Sequence, residues 1–141
     1  MALTVLDAGV LIGVLDADDP HHESAVAALR RLIDSGAELV VPASVYAEIL
    51  VGPFRRNEDA AVEVETFLSD IGVRIEPVTP QISRSAARLR AAYGSKLRLP
   101  DALVIATAET LRADRVLTTD TRWPRRAPVE VEIVRPRNRR R

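Results

Sequence analysis

Short apolar segments typical of buried strands alternate with segments of helical periodicity along the whole chain. A strand–helix–strand connection places its two strands parallel, and helices cover such sheets on both faces. The alternation therefore predicts an α/β fold, a three-layer α/β/α sandwich with a central, mainly parallel sheet. The predicted strands span residues 2–6, 39–41, 73–75, 116–118 and 129–134. The predicted helices span residues 10–15, 18–36, 58–71, 80–94 and 101–111, and one further helix carries Glu48.

Local signals mark several boundaries of these elements. Ser44 is a candidate cap for the helix that carries Glu48. Gly52 and Pro53 separate that helix from the next one. The helix predicted over residues 101–111 is apolar on nearly all sides, so we expect it to be the most buried helix.

Composition places the chain among ordinary globular domains. Hydrophobic residues make up 47% of it and charged residues 28%, and no apolar run approaches the roughly 20 residues of a membrane span. The N-terminal segment lacks the pattern of a secretory signal, so we expect a cytoplasmic protein. The chain contains no cysteine, which excludes disulfides, thiolate nucleophiles and Cys-based zinc sites. We expect one domain over residues 1–134 and an Arg-rich tail over residues 135–141.

The net charge is zero, which argues against broad electrostatic attraction to nucleic acid. Lys96 is the only lysine, so almost all the positive charge is arginine, the better bidentate phosphate ligand. The C-terminal tail is either a solvated segment or one that contacts phosphates or a partner, and the sequence leaves both open. The tail arginines are Arg135, Arg137, Arg139, Arg140 and Arg141.

Four acidic residues stand beside apolar segments spread across the whole chain. Asp7 and Asp120 end predicted strands, Glu48 follows a strand end by about one helical turn, and Asp101 begins the buried helix. Ligands of open α/β sheets bind at the carboxyl ends of the strands. An unpaired carboxylate beside a core costs several kcal/mol, and a bound Mg²⁺ or Mn²⁺ would offset that cost.

Each acid also has a simpler explanation when it is taken alone. Asp7 and Asp101 could cap helices, Glu48 could be a surface residue, and Asp120 could belong to a turn. The joint occurrence of four acids, each at the appropriate end of its element, predicts a single acidic site. Several carboxylates close together also predict at least one raised pKa.

Four segments around these acids resemble the successive motifs of the PIN-domain family, and more closely the VapC toxins of bacterial VapBC toxin–antitoxin pairs. The resemblance runs from Leu3 to about Trp123, in the family's order. It implies a PIN-domain fold, Mg²⁺- or Mn²⁺-dependent endoribonuclease activity on RNA, a homodimer, and inhibition by a cognate VapB-like antitoxin. The matching segments are Leu6–Ile12, Pro42–Glu48, Leu99–Ala108 and Leu117–Asp120.

The resemblance also implies roles for single residues. Asp7 and Asp101 match the family's most consistent metal ligands, Glu48 matches the acid of the second motif, and Asp120 matches the fourth. All four would be catalytic and metal-binding residues. Thr118 stands where the family often has a hydroxyl that supports the site.

We therefore expect metal-assisted hydrolysis of an RNA phosphodiester bond. The alternative is a PIN-like module that binds RNA or a protein without cleaving. Trp123 is a candidate for stacking on a base, although packing against the sheet explains it equally well. His21 and His22 are expected at a helix start or the surface and not as catalysts. Candidate substrate-binding arginines are Arg55, Arg56, Arg122, Arg125, Arg126 and those of the tail.

Overall fold

The computed structural model describes residues 2–124 and 126–137. The strands are β1 (Leu3–Leu6), β2 (Glu38–Pro42), β3 (Arg74–Glu76), β4 (Arg115–Thr118) and β5 (Val131–Ile133). The helices are α1 (Ala8–Leu15), α2 (His22–Asp34), α3 (Ala43–Arg56), α4 (Glu58–Asp70), α5 (Pro80–Tyr93) and α6 (Leu99–Thr110), with a 3-10 turn over Gly94–Lys96. No helix among these residues has both the length and the hydrophobicity needed to cross a membrane.

The strands form one sheet in the order β3-β2-β1-β4-β5. All four neighbouring pairs of strands are parallel. The predicted central sheet is therefore confirmed, and its pairing is parallel throughout and not only in the main. Val5 of β1 is registered with Val40 of β2 on one side and Val116 of β4 on the other. Because of this register, the carboxyl ends of β1 and β4 lie side by side.

The connections set the layers of helices. From β1 to β3 the chain moves towards one edge of the sheet, and it then returns to β4 on the other side of β1. Because crossovers between parallel strands are right-handed, helices α5 and α6 of the return connection cover the face opposite to α1–α4. Helix α6 packs across β2, β1 and β4.

Consecutive residues of the central strands are buried. Val5 and Leu6 of β1 and Val40 and Val41 of β2 are fully buried, as expected where helices cover both faces of a parallel sheet. Helix α6 has a buried residue at Ala102 and at every position from 104 to 108. The expectation of a highly buried helix here is confirmed.

Two predicted boundaries around α3 are wrong. The helix does not end at Gly52-Pro53 but continues to Arg56. An interior proline costs about 3 kcal/mol, and burial of the apolar face of α3 together with its contact with α4 offsets this. Ser44 does not cap the helix, because α3 begins at Ala43 and Ser44 already lies inside its first turn.

Candidate acidic site

Asp7 joins the end of β1 to the start of α1. Its backbone N–H donates to the Leu117 carbonyl of β4 at 2.9 Å, which extends the β1–β4 pairing. Its Oδ1 accepts a hydrogen bond from the Ala8 N–H at 2.8 Å, so Asp7 is the N-cap of α1. Its Oδ2 accepts one from the Thr118 hydroxyl at 2.6 Å. Burial raises the pKa of the Asp7 carboxyl, the two hydrogen bonds oppose that rise, and the charge of Asp120 adds to it.

Gly9 allows the first turn of α1 to approach the end of β4. A Cβ built on Gly9 would collide with the Thr119 hydroxyl. Only a residue without a side chain fits at this contact, and the Asp7-Ala8-Gly9 sequence thereby brings Asp7 against β4.

Asp120 lies in the turn that follows β4. Its N–H donates to the Thr118 hydroxyl at 3.1 Å, and its Oδ1 accepts from the Arg122 N–H at 2.7 Å. The Arg122 Nε lies 3.5 Å from the same oxygen. Asp120 therefore stabilises a turn, as the simpler explanation for this residue predicts. It is also connected to Asp7, because the Thr118 hydroxyl bonds to both residues.

Asp101 lies in the first turn of α6 and is partly buried. Its pKa is raised to about 6, first by burial and then by the negative charges of Asp7, Asp120 and Glu48, while Arg98 lowers it. Its charge is thus coupled to all three of the other acids. This confirms the expectation of at least one raised pKa among the four.

Glu48 lies in the middle of α3, and its side chain is exposed. Loss of part of its hydration raises the pKa of its carboxyl, and the charge of Asp7 raises it further. Its exposure agrees with the simpler surface explanation, while its coupling to Asp7 and Asp101 agrees with a shared site. It also lines a cavity of about 570 Å³ between α1, α3 and α4, beside Ile12 and Phe67.

The sequence of the chain matches the model of the PIN-domain family over residues 4–128. The chain belongs to the PIN-domain family. No curated protein sequence is significantly similar to this PIN domain.

Solved structures with the same fold include components of toxin–antitoxin systems. The structure of VapBC2 from Rickettsia felis, bound to a promoter DNA fragment, matches with a TM-score of 0.75 at 18% identity, covering 93% of this PIN domain and 98% of that chain. A toxin–antitoxin complex from Klebsiella pneumoniae gives a TM-score of 0.72 at 24% identity and covers 91% and 93%. The Mycobacterium tuberculosis VapC20, a toxin that cleaves the sarcin–ricin loop, gives 0.65 at 20% identity and covers 80% and 86%. At these identities the likeness is one of fold.

The acids of this PIN domain fit a divalent cation by their chemistry. They are hard oxygen donors, and burial together with their mutual repulsion raises the pKa of Asp101, so a cation placed among them would be stabilised. Asp7 keeps lone pairs on both oxygens after its two hydrogen bonds. Within residues 2–124 and 126–137, no three Asp, Glu or His side chains are already arranged as a set of metal ligands. Mg²⁺ needs only one or two protein carboxylates, because water molecules complete its coordination shell.

Other candidates lie away from the four acids. Trp123 is only 8% exposed and packs in the core, so the packing explanation is right and the stacking one is wrong. His21 is the N-cap residue of α2, and His22 begins that helix with its ring bonded to the Gly13 carbonyl at 2.7 Å. The expected position of the two histidines at a helix start is confirmed. Arg125 and residues 138–141 lie outside the described residues.

One residue near the site was missed from the sequence. Arg98 is the N-cap residue of α6, and its charge acts on Asp101. The available signal was its place three residues before Asp101, directly ahead of a proline-containing helix start. Arg98 stands alone in the sequence, and its local pattern does not show that its charge acts on Asp101.

Proposed function

We propose that this PIN domain is a VapC-like toxin of a type II toxin–antitoxin pair, an endoribonuclease dependent on Mg²⁺ or Mn²⁺. Asp7, Glu48, Asp101 and Asp120 are its proposed catalytic and metal-binding residues. The observation that carries the proposal is the coupling of Asp101 to the other three acids at the carboxyl edge of the sheet. Carboxylates that the fold brings together repel each other, and a bound cation would offset this repulsion.

In this proposal a cation held by Asp7, Glu48, Asp101 and Asp120 would lower the pKa of a bound water molecule and would stabilise the charge that develops on the phosphate. The protein residues orient the ligands. The Ala8 N–H and the Thr118 hydroxyl each hold one oxygen of Asp7, so this carboxylate cannot rotate away. Since the Thr118 hydroxyl also accepts from the Asp120 N–H, one hydroxyl fixes the ends of two neighbouring strands.

The substrate class follows from the exposure of the site. Glu48 is open to solvent and Asp101 and Asp120 are partly buried, which suits an RNA strand that is splayed open and not a small molecule enclosed in a cavity. Because Trp123 is buried, a stack on its indole does not contribute to binding of the RNA.

The proposed partners are an antitoxin protein of the VapB type and a second copy of this chain. The toxin–antitoxin complexes of similar fold support the antitoxin, and the family resemblance is what supports the homodimer. The proposed location of such a pair is the cytoplasm, where its RNA substrate lies.

The test is cleavage of bacterial RNA by the purified protein, free of antitoxin, with Mg²⁺ or Mn²⁺ and with EDTA. We expect discrete cuts that require the metal and that disappear in Asp101→Asn. The matched control is Asp70→Asn, an exposed aspartate at the end of α4 and hence at the opposite edge of the sheet, which should cleave as the parent does. Metal-independent cleavage, or normal cleavage by folded Asp101→Asn, would contradict the proposal.

The second candidate function is a PIN-like module that binds RNA or a protein without cleaving. It is favoured by the exposure of Glu48 and by the turn role of Asp120, whose Oδ1 accepts from the Arg122 N–H. Folded protein that binds RNA but makes no cut with either metal would support it.

A further inference from the structure

We propose that Arg98 and Arg122 bind phosphates of the RNA strand on the two sides of the acidic site. The strand would then run from the start of α6 to the turn after β4. This inference rests on the proposed function. It adds the path of the RNA strand over the site and two residues that bind the strand.

The need for flanking cations follows from the charge of the site. Four carboxylates repel every phosphate of an approaching RNA, and a metal ion held among them offsets this only where it contacts the strand. Neighbouring phosphates require positive side chains at the rim. Since the net charge of the chain is zero, those side chains must be local and not part of a general positive field.

Arg98 has the position and the freedom for this task. Its backbone is fixed, because Leu97 before it is fully buried and its own carbonyl accepts from the Ala102 N–H at 2.9 Å. Pro100 in the first turn of α6 stiffens the same segment. The Arg98 side chain is exposed, and it takes part in none of the ion pairs formed within residues 2–124 and 126–137. All five of its N–H donors therefore remain available to a phosphate.

Arg122 contacts Asp120 in the turn that follows β4. Its Nε lies 3.5 Å from Asp120 Oδ1 while its side chain is 81% exposed. An ion pair this long and this exposed is weak, so the outer nitrogens of the guanidinium can contact a phosphate. Arg98 stands just before α6 and Arg122 just after β4, so the two lie on different loops beside Asp101 and Asp120.

Four other arginines of the described residues pair with glutamates. One of them is Arg137, in the tail, which pairs with Glu23 of α2 at 3.2 Å. The arginines paired with glutamates are Arg31, Arg74, Arg115 and Arg137. Among the arginines of residues 2–124 and 126–137, Arg98 is the one whose charge lowers the pKa of Asp101, and Arg122 is the one paired with Asp120.

The experiment compares Arg98→Gln and Arg122→Gln with a control, Arg84→Gln. Arg84 is exposed near the start of α5, away from the connection that leads into α6. Binding of a fluorescent single-stranded RNA is measured by anisotropy in EDTA, and KM and kcat are measured with Mg²⁺. We expect each site variant to bind about five- to tenfold more weakly and to raise KM by a similar factor with kcat nearly unchanged. The slope of log affinity against log salt should fall by about 0.7 for each lost contact.

The conservative variant Arg98→Lys separates a charge contact from a structural role. It should recover most of the binding, because a lysine also serves as a point charge for a phosphate. The inference is overturned if the Arg98 and Arg122 variants match Arg84→Gln, or if Arg98→Gln lowers kcat alone. If the parent protein cleaves RNA and the two site variants match the control, only this inference is contradicted. If the parent protein neither binds nor cleaves RNA, the proposed function is contradicted as well.

Discussion

The Thr118 hydroxyl donates a 2.6 Å hydrogen bond to Asp7 Oδ2, although the two residues are 111 positions apart in the chain. The bond is buried, and the same hydroxyl accepts from the Asp120 N–H. It depends on the parallel pairing of β1 with β4, in which Leu6 is registered with Leu117. The sheet therefore positions two of the proposed catalytic acids through one threonine.

Replacing Thr118 with valine keeps the shape of the side chain and removes this bond. We expect a loss of about 1–3 kcal/mol in the free energy of unfolding, because the buried Asp7 oxygen loses its donor. Weaker Mg²⁺ binding should follow, since the carboxylate is no longer oriented. Denaturant titration and a metal titration check the two effects. The control is Thr107→Val, which removes the 2.7 Å bond from a buried hydroxyl to the Leu103 carbonyl within α6. It should cost stability without changing metal affinity, and equal metal affinity in both variants would contradict the assigned role of Thr118.

The raised pKa of Asp101 predicts how stability depends on pH in metal-free protein. The folded protein holds this proton with a pKa of about 6, well above the ordinary 3.8 of an aspartate carboxyl. The stabilising contribution is therefore complete below about pH 4 and is lost as pH rises through 6. Its upper limit is roughly 3 kcal/mol, at about 1.4 kcal/mol per pKa unit, and solvent access to the partly buried carboxyl reduces it.

The measurement for this prediction is the free energy of unfolding in EDTA between pH 4 and pH 8. The parent should lose more stability over that range than Asp101→Asn, whose amide does not titrate. Parallel curves for the two proteins would show that Asp101 does not titrate in this range.

Mg²⁺ should stabilise the folded protein, and more strongly above pH 6 than below it. Below pH 6 the Asp101 carboxyl holds a proton that competes with the cation. At a concentration one hundred times the dissociation constant the gain is about 2.7 kcal/mol. Thermal unfolding with increasing Mg²⁺ gives this readout without any RNA, and Asp101→Asn should lose most of the shift. A shift that is unchanged in that variant would place the cation elsewhere.

Gly9→Ala should disturb the contact between α1 and the end of β4. The new methyl group would collide with the Thr119 hydroxyl, so we expect a loss of about 1–3 kcal/mol and reduced metal binding through displacement of Asp7. The matched control is Gly52→Ala inside α3, where an added Cβ meets nothing within 4 Å. That variant should gain about 0.5–1 kcal/mol, because alanine favours the helix. Equal stabilities of the two variants would contradict the close approach.

Burial of the central strands and of α6 could be predicted from the sequence, because it follows from local runs of apolar residues. The runs at Val5–Leu6 and around Ile105 are buried on all sides, and an uninterrupted apolar run predicts such burial directly. Helix α3 could not be bounded in the same way. Gly52 and Pro53 are local stop signals, and the packing of α3 on α4 overrides them.

The four acids of the candidate site are predictions from the sequence, and the contacts that support them depend on the fold. The family resemblance implied a supporting hydroxyl at Thr118, but it did not name Asp7 as the partner of that hydroxyl. Asp7 and Asp120 could be placed at one edge because they end parallel strands. The Thr118–Asp7 bond depends on strand register, and the closeness of Arg98 to Asp101 depends on how a loop folds before α6. Neither property is carried by the residues on their own. The exposure of Glu48 also depends on which face α3 turns to solvent, since α3 buries Val45 and Ile49 around it.

The central position of β1 has a consequence for synthesis of the protein. Its neighbour β4 is made more than one hundred residues later, so a nascent chain that stops before β4 holds Asp7 without its threonine partner and has no Asp120. Under the proposed function, a copy that lacks β4 would be harmless to RNA. The proposed site would be complete only after β4 and Asp120 have left the ribosome, when an antitoxin that is already made could bind the protein.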